Sequence, residues 1–184
     1  LHTLFPYTTL FRSSGRNRLS LLEDDIWKFE IVLRKHEYYS NIKKHTILEK
    51  IMSRYYAKMH YRKGIKLGFS IPINTFGAGL RLNHYGLIVV NGDARIGTNC
   101  DIHQGVNIGQ NLNNGDVPTI GNNMWIGPGA KIFGKIVLAS NITIGANSVV
   151  NKSFLEENIT IAGIPARKIK DTGTNEMKTA KDIK

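Results

Sequence analysis

Residues 120–150 read IGNNMWIGPGAKIFGKIVLASNITIGANSVV, and a large aliphatic side chain returns at every sixth position, at Ile120, Ile126, Ile132, Leu138, Ile144 and Val150. The same register runs back through Ile108, Ile102, Ile96 and Val90. Of the 82 residues from 69 to 150, 24 are Ile, Leu or Val, so ten hits at ten chosen positions would arise by chance in roughly a few cases per million. A helix repeats at about 3.6 residues and a strand at about 2, and neither sustains six. The residue after the aliphatic one is Gly at 97, 109, 121, 127 and 145, and the residue two before it is small at Ala94, Cys100, Ala130 and Ser148. One large inward residue, one small inward residue and a Gly at the bend make one flat side and one corner of a triangular coil. Three such units close a turn, and stacked turns pair their backbones as parallel strands that bury each aliphatic residue against those above and below. The fold class is therefore mainly β, a parallel β-helix built on hexapeptide repeats.

The repeat breaks twice. Leu82 to Val90 is eight residues long, so two extra residues bulge out around Asn83-His84-Tyr85-Gly86. Ile108 to Ile120 is twelve, and its middle, Gln110 to Asp116, is too polar to supply a core rung and reads as an extruded loop. Solenoids carry function on such insertions because the coils hold them rigidly.

Two helices precede the repeat. Asp24 and Asp25 stand before apolar residues at Ile26, Phe29, Val32 and Leu33, which predicts a helix to about Tyr39. A second carries Ile47, Leu48, Ile51, Met52, Tyr55 and Met59 on one stripe and is expected to stop by Gly64. Neither can bury its face alone, so both must dock onto the coil or another subunit. The domain plan is a leader at 1–13, a helical head at 14–67, the β-helix at 68–169 and a flexible tail at 170–184. Residues 1–13, LHTLFPYTTLFRS, lack a starting Met and a basic n-region and resemble a translated sequencing adapter, so they read as a non-native leader and not a signal peptide. Ala162-Gly-Ile-Pro-Ala-Arg167 reads as a turn capping the open end of the coil.

The net charge of +11 is uneven: residues 1–68 carry +8, residues 69–150 carry +1 and residues 151–184 carry +2. With no recognised nucleic-acid motif, the basic head is expected to be a solvated or subunit-facing surface ahead of a nucleic-acid or anionic-membrane contact. The longest apolar run, Leu87 to Val90, is far short of the ~20 residues of a membrane span. The single cysteine, Cys100, sits at a small inward position and suits a reducing cytoplasm, as a core residue and not a nucleophile.

The segments Leu82–Val90, Ile126–Lys131, Ile144–Val150 and Ala162–Arg167 together resemble the left-handed β-helix acyltransferases, and within them the serine acetyltransferase-like branch of bacteria. The likeness covers roughly residues 68–169 and supplies the handedness, since ordinary crossover rules favour the opposite hand. It implies a homotrimer with active sites between subunits, acetyl-CoA as co-substrate, no permanently bound cofactor and no metal. A His on the bulge is the general base in the family, and the matching residue is His84. An imidazole with a pKa near ~6.5 can accept a hydroxyl proton as the oxygen attacks a thioester. Asn83 takes the place of the family's Asp just before the base, and His103, nineteen residues after His84 and about one coil on, reads either as an auxiliary residue bordering the same cleft or as a surface His. The acetyl-CoA positions implied by the family are Gly109, Gly127, Pro128 and Ala146, with Arg167 and Lys168 near the phosphates. Trp125 is expected to point outward into a subunit contact.

Three positions depart from the serine acetyltransferase pattern. Phe69 stands where the family orients its base with an Asp fifteen residues upstream, Asn83 replaces a second Asp, and Asp116-Val117 replaces an Arg-His pair before the Pro that re-enters the coil. Asp93, Asp101 and Asp116 are the candidate substitutes for the orienting carboxylate. The expected function is acetyl-CoA-dependent O-acetylation of a sugar hydroxyl, with serine as the alternative acceptor and a non-catalytic scaffold as the reading of another class. A zinc hydratase on this fold needs three His, and the repeat body holds two, His84 and His103.

Overall fold

The computed structural model describes residues 24–43, 46–112 and 115–174. The leader at 1–13 and the tail from 175 lie outside the described residues. Helix α1 (Asp25–Asn41) starts where the Asp24 carboxylate accepts the N–H groups of Ile26 and Trp27, at 3.0 and 3.2 Å. Helix α2 (Ile47–Leu67) starts on a Thr46/Glu49 capping box. It runs through Gly64, the expected stop, and ends at Gly68, whose φ of 78° closes the last turn. Gly64 serves proximity instead: a Cβ there would lie 2.6 Å from the Phe69 carbonyl oxygen, so its absence lets helix and coil meet.

Among the described residues fourteen short strands follow. They are β1 (Phe69–Ser70), β2 (Arg81–Leu82), β3 (Ile88–Val90), β4 (Arg95–Ile96), β5 (Asp101–Ile102), β6 (Asn107–Gly109) and β7 (Thr119–Ile120). The second half comprises β8 (Trp125–Ile126), β9 (Lys131–Phe133), β10 (Val137–Leu138), β11 (Thr143–Ile144), β12 (Val149–Val150), β13 (Thr160–Gly163) and β14 (Ala166–Lys170). They form three sheets, in the orders β1-β3-β6-β9-β12, β10-β7-β4 and β14-β13-β11-β8-β5-β2. Every pairing but the last hairpin, β13 with β14, is parallel. Successive hexads occupy successive sheets, so three hexads make a coil. Ile126 lies beside Ile144 eighteen residues on, whereas Ile102 lies beside Ile126 twenty-four residues on, the extra hexad being the loop after β6. Leu82 lies beside Ile102, twenty residues on, because the bulge adds two.

The core is the predicted ladder. All ten hexad aliphatics from Val90 to Val150 are buried, as are Ala94, Cys100, Ala130 and Ser148 at the small positions. Burial pushes the Cys100 thiol well above its ordinary pKa, as befits a core residue. At ~0.8 kcal/mol per buried methylene, this column is the main source of the coil's stability.

A solenoid must also satisfy the backbone groups of its first turn, which has no coil beneath it. Helix α1 supplies those partners. Phe29 and Leu33 are buried against the coil, Glu30 accepts the Leu82 N–H at 2.9 Å, and Glu37 accepts the Asn74 N–H at 2.8 Å. Arg34 donates to the carbonyls of Phe76 at 2.9 Å and Gly77 at 2.5 Å. The other end is closed by the β13–β14 hairpin, as residues 162–167 predict. The start of the tail does not fray: Gly173 N–H donates to Asn158, and Thr174 is buried with its hydroxyl on the Asn123 carbonyl. Helix α2 packs on α1 through its inner side, with Tyr39 stacked on Tyr56 and His36 facing His60. The predicted apolar stripe of α2 is not buried: Ile47, Leu48, Ile51 and Tyr55 face outward, and Met52 and Met59 are half-buried. Among the described residues no helix is long and apolar enough to cross a membrane.

Candidate active site

The bulge leaves β2 at the corner between the sheet containing β2 and the sheet containing β3. Parallel pairing of Leu82 with Ile102 sets the next residues, Asn83 and His103, side by side on the outer face. His84 follows, exposed on the bulge, with its ring centroid 6.2 Å from that of His103. One coil further, Trp125 lays its indole against His103 at 4.9 Å. Trp125 points outward as expected, half-buried where its indole meets His103.

Beneath these rings lies Asp101, a buried carboxylate. One of its oxygens accepts from Asn83 Nδ2 at 2.5 Å and the other lies 3.2 Å from Arg81 Nη1. An ionised carboxylate only accepts, so it obliges Asn83 to present its amide NH2 group. The second hydrogen of that group faces His103 Nε2, 3.2 Å away, which assigns the His103 ring proton to Nδ1. Burial pushes the His103 pKa down; Asp101 opposes this, while His84 and Arg81 add to it. His103 is therefore held neutral beside His84.

Of the three candidate carboxylates, only Asp101 belongs to this cluster. Asp93 and Asp116 lie at a different corner, in the turn after β3 and the loop after β6. Behind β2, the buried Glu30 carboxyl that holds the Leu82 N–H has its pKa pushed up to about 8 by burial. Among the described residues no three His, Cys, Asp or Glu side chains are grouped so as to hold a metal ion.

The positions expected to meet acetyl-CoA divide. Gly127, Pro128 and Ala146 stack above His103 on the same corner, since Ile102, Ile126 and Ile144 share one register. Gly145 and Ala162 extend that column, and Arg167 pairs with Ala162 at its far end. Gly127 is required there: a Cβ would lie 2.7 Å from the Ile144 carbonyl oxygen. Gly109 ends β6 at the opposite edge of the neighbouring sheet, beside the extruded loop, and does not join the column. Lys168 is held by Glu156 and Asp171, both at 2.5 Å, so its charge is already compensated, whereas Arg167 is exposed. Sequence reading missed Arg81, Glu30 and Gly145. The twenty-residue step across the bulge links Arg81 to Asp101 and signals the first; nothing in the sequence places a helix residue such as Glu30 behind a strand.

No family model matches the chain. A serine acetyltransferase of Staphylococcus xylosus is 34% identical over 146 residues, 78% of this chain and 63% of the relative. Among solved structures, a serine O-acetyltransferase of Brucella melitensis is 29% identical with a TM-score of 0.68, covering 88% of this chain and 65% of that one. A serine acetyltransferase in complex with CoA is 27% identical with a TM-score of 0.64, covering 81% and 59%. The chain thus spans somewhat under two thirds of the length of the relatives it matches. The likeness fixes the coil as a left-handed parallel β-helix.

Proposed function

Taking as premise that this chain is a homologue of the hexapeptide-repeat serine acetyltransferases, we propose that it transfers the acetyl group of acetyl-CoA to a hydroxyl, in the cytoplasm, with His84 as general base. His84 takes the hydroxyl proton as the oxygen attacks the thioester carbonyl. The tetrahedral adduct then collapses, the C–S bond breaks, and the imidazolium returns the proton to the departing CoA sulfur. His103, kept neutral by its burial and by Asn83, leaves room for the positive charge that forms transiently on His84. The observation that carries the reading is the juxtaposition of His84 and His103 at the head of a column of small residues, Gly127, Gly145 and Ala162, leading to Arg167. Four strand spacings separate His103 from Arg167, roughly 19 Å at ~4.8 Å each. That is a span an extended pantetheine arm can follow, with the phosphates toward Arg167 in preference to the paired Lys168.

L-Serine is the acceptor we put first, which corrects the expected preference for a sugar. The relatives named above are serine acetyltransferases, and that weighs more than the loss of single side chains. A saccharide hydroxyl stays as the second reading on one specific observation: Asn83 and Val117 stand where the family carries the groups that bind serine. The loop bearing Asp116 and Val117 leaves a different corner from His84, so an acceptor site that uses both would need two copies, which fits the proposed homotrimer. The test is CoA thiol release from acetyl-CoA across L-serine, nucleotide sugars and oligosaccharides. Release is expected with L-serine and lost in His84→Ala, with an unchanged circular dichroism spectrum. Undiminished turnover in that variant rejects the mechanism, and release with a saccharide alone rejects serine.

A further inference from the structure

The outer face of α2 combines two features that the acetyl-transfer site leaves unused. Ile47, Leu48, Ile51 and Tyr55 are 81, 68, 57 and 53 % exposed. Four large apolar side chains in the open within nine residues mark an interaction surface. Interleaved with them at four-residue spacing are Lys50, Arg54, Lys58 and Arg62, all exposed and with no ion-pair partner among the described residues. At ~100° per residue, Ile47, Ile51, Tyr55, Lys58, Arg62 and Ile65 fall within an arc of about 80°. Tyr56, His60 and Leu67 lie on the opposite side of the helix, where they pack on α1 and the coil. The mixed face is therefore held rigidly, turned away from the other described residues.

We propose that this face docks the protein on an anionic lipid bilayer, the apolar side chains entering the headgroup boundary and the cations meeting lipid phosphates. Charge decides among the possible occupants. A second copy meeting the same face would set Lys50, Arg54, Lys58 and Arg62 against their own counterparts, while α2 carries Glu49 as its only acid. A nucleic acid would neutralise the cations but leave Ile47, Leu48 and Ile51 in water. A bilayer interface satisfies both sets, since binding there scales with buried apolar area plus attraction to anionic headgroups. The inference stands independently of acetyl transfer.

The experiment is co-sedimentation of the whole protein with vesicles of phosphatidylcholine containing phosphatidylglycerol at about one third, against pure phosphatidylcholine. Binding is expected to the anionic vesicles only, and to fall with added salt. Each of Lys50→Gln, Arg54→Gln, Lys58→Gln and Arg62→Gln should lower the affinity about five-fold. Ile51→Ser should weaken binding while leaving its salt dependence in place. Thermal melts of the same variants separate lost docking from lost folding, because all five positions are exposed. Equal binding to both vesicles, or none to either, overturns the proposal. So does a dimer in sedimentation velocity that Ile51→Ser dissolves, or tighter binding to duplex DNA or RNA than to anionic vesicles.

Discussion

Two buried carboxylates near His84 do different physical jobs. Asp101 is paired and hydrogen-bonded, and the charge it keeps opposes the fall in the His103 pKa. Asp101→Asn should therefore move the His103 titration, followed by imidazole NMR, further down, and cost about 1–3 kcal/mol of stability through the lost charged hydrogen bond to the partly exposed Arg81. An unmoved His103 would separate Asp101 from the site. Glu30 is a desolvated acid, with its pKa raised from an ordinary 4.5 to about 8. Between those values the unfolded chain releases the proton while the folded chain retains it, so folding stability falls as pH rises through that window. Glu30→Gln keeps an oxygen for the Leu82 N–H and removes the titration. Its stability by urea unfolding should match the parent near the bottom of that window and exceed it progressively as pH approaches 8.

Among the elements, α2 is where sequence and structure part most clearly. Its existence was legible from the apolar stripe, but neither its end nor its buried side was, and the Thr46/Glu49 capping box at its start came with the structure. Gly64 looked like a helix stop because glycine is a poor helix former. Its place is decided by a contact with the Phe69 carbonyl that no local pattern encodes. Ala at this position would gain about 1 kcal/mol of helix propensity yet drive a methyl group into backbone. Gly64→Ala is accordingly expected to destabilise by about 1–3 kcal/mol, read from denaturant midpoints. A stabilised variant would show that the helix can shift without cost. The apolar stripe was expected to dock on the coil or on another subunit; within the chain the inner side of α2 is filled by Tyr56, His60, Gly64 and Leu67 instead.

At the scale of the whole molecule, the bulge and the extruded loop leave the prism at different corners, which makes the acceptor site as proposed a property of an assembly. Light scattering on the purified protein is expected to give three chains, and a monomer that still turns over would place acceptor recognition wholly beside His84. The coil, its three sheets and its core were determined by the sequence itself, because a hexad repeat makes each residue's surroundings a function of its own position and of neighbours one coil away. The bulge that carries His84 was legible for the same reason: it is where that repeat breaks. Which carboxylate serves the site, which acetyl-CoA positions share a corner and which face of α2 meets solvent were decided only by tertiary structure. Those depend on register across a two-residue and a six-residue insertion, and on how a helix seats against an open coil. Both are sums over many weak contacts between residues far apart in the chain.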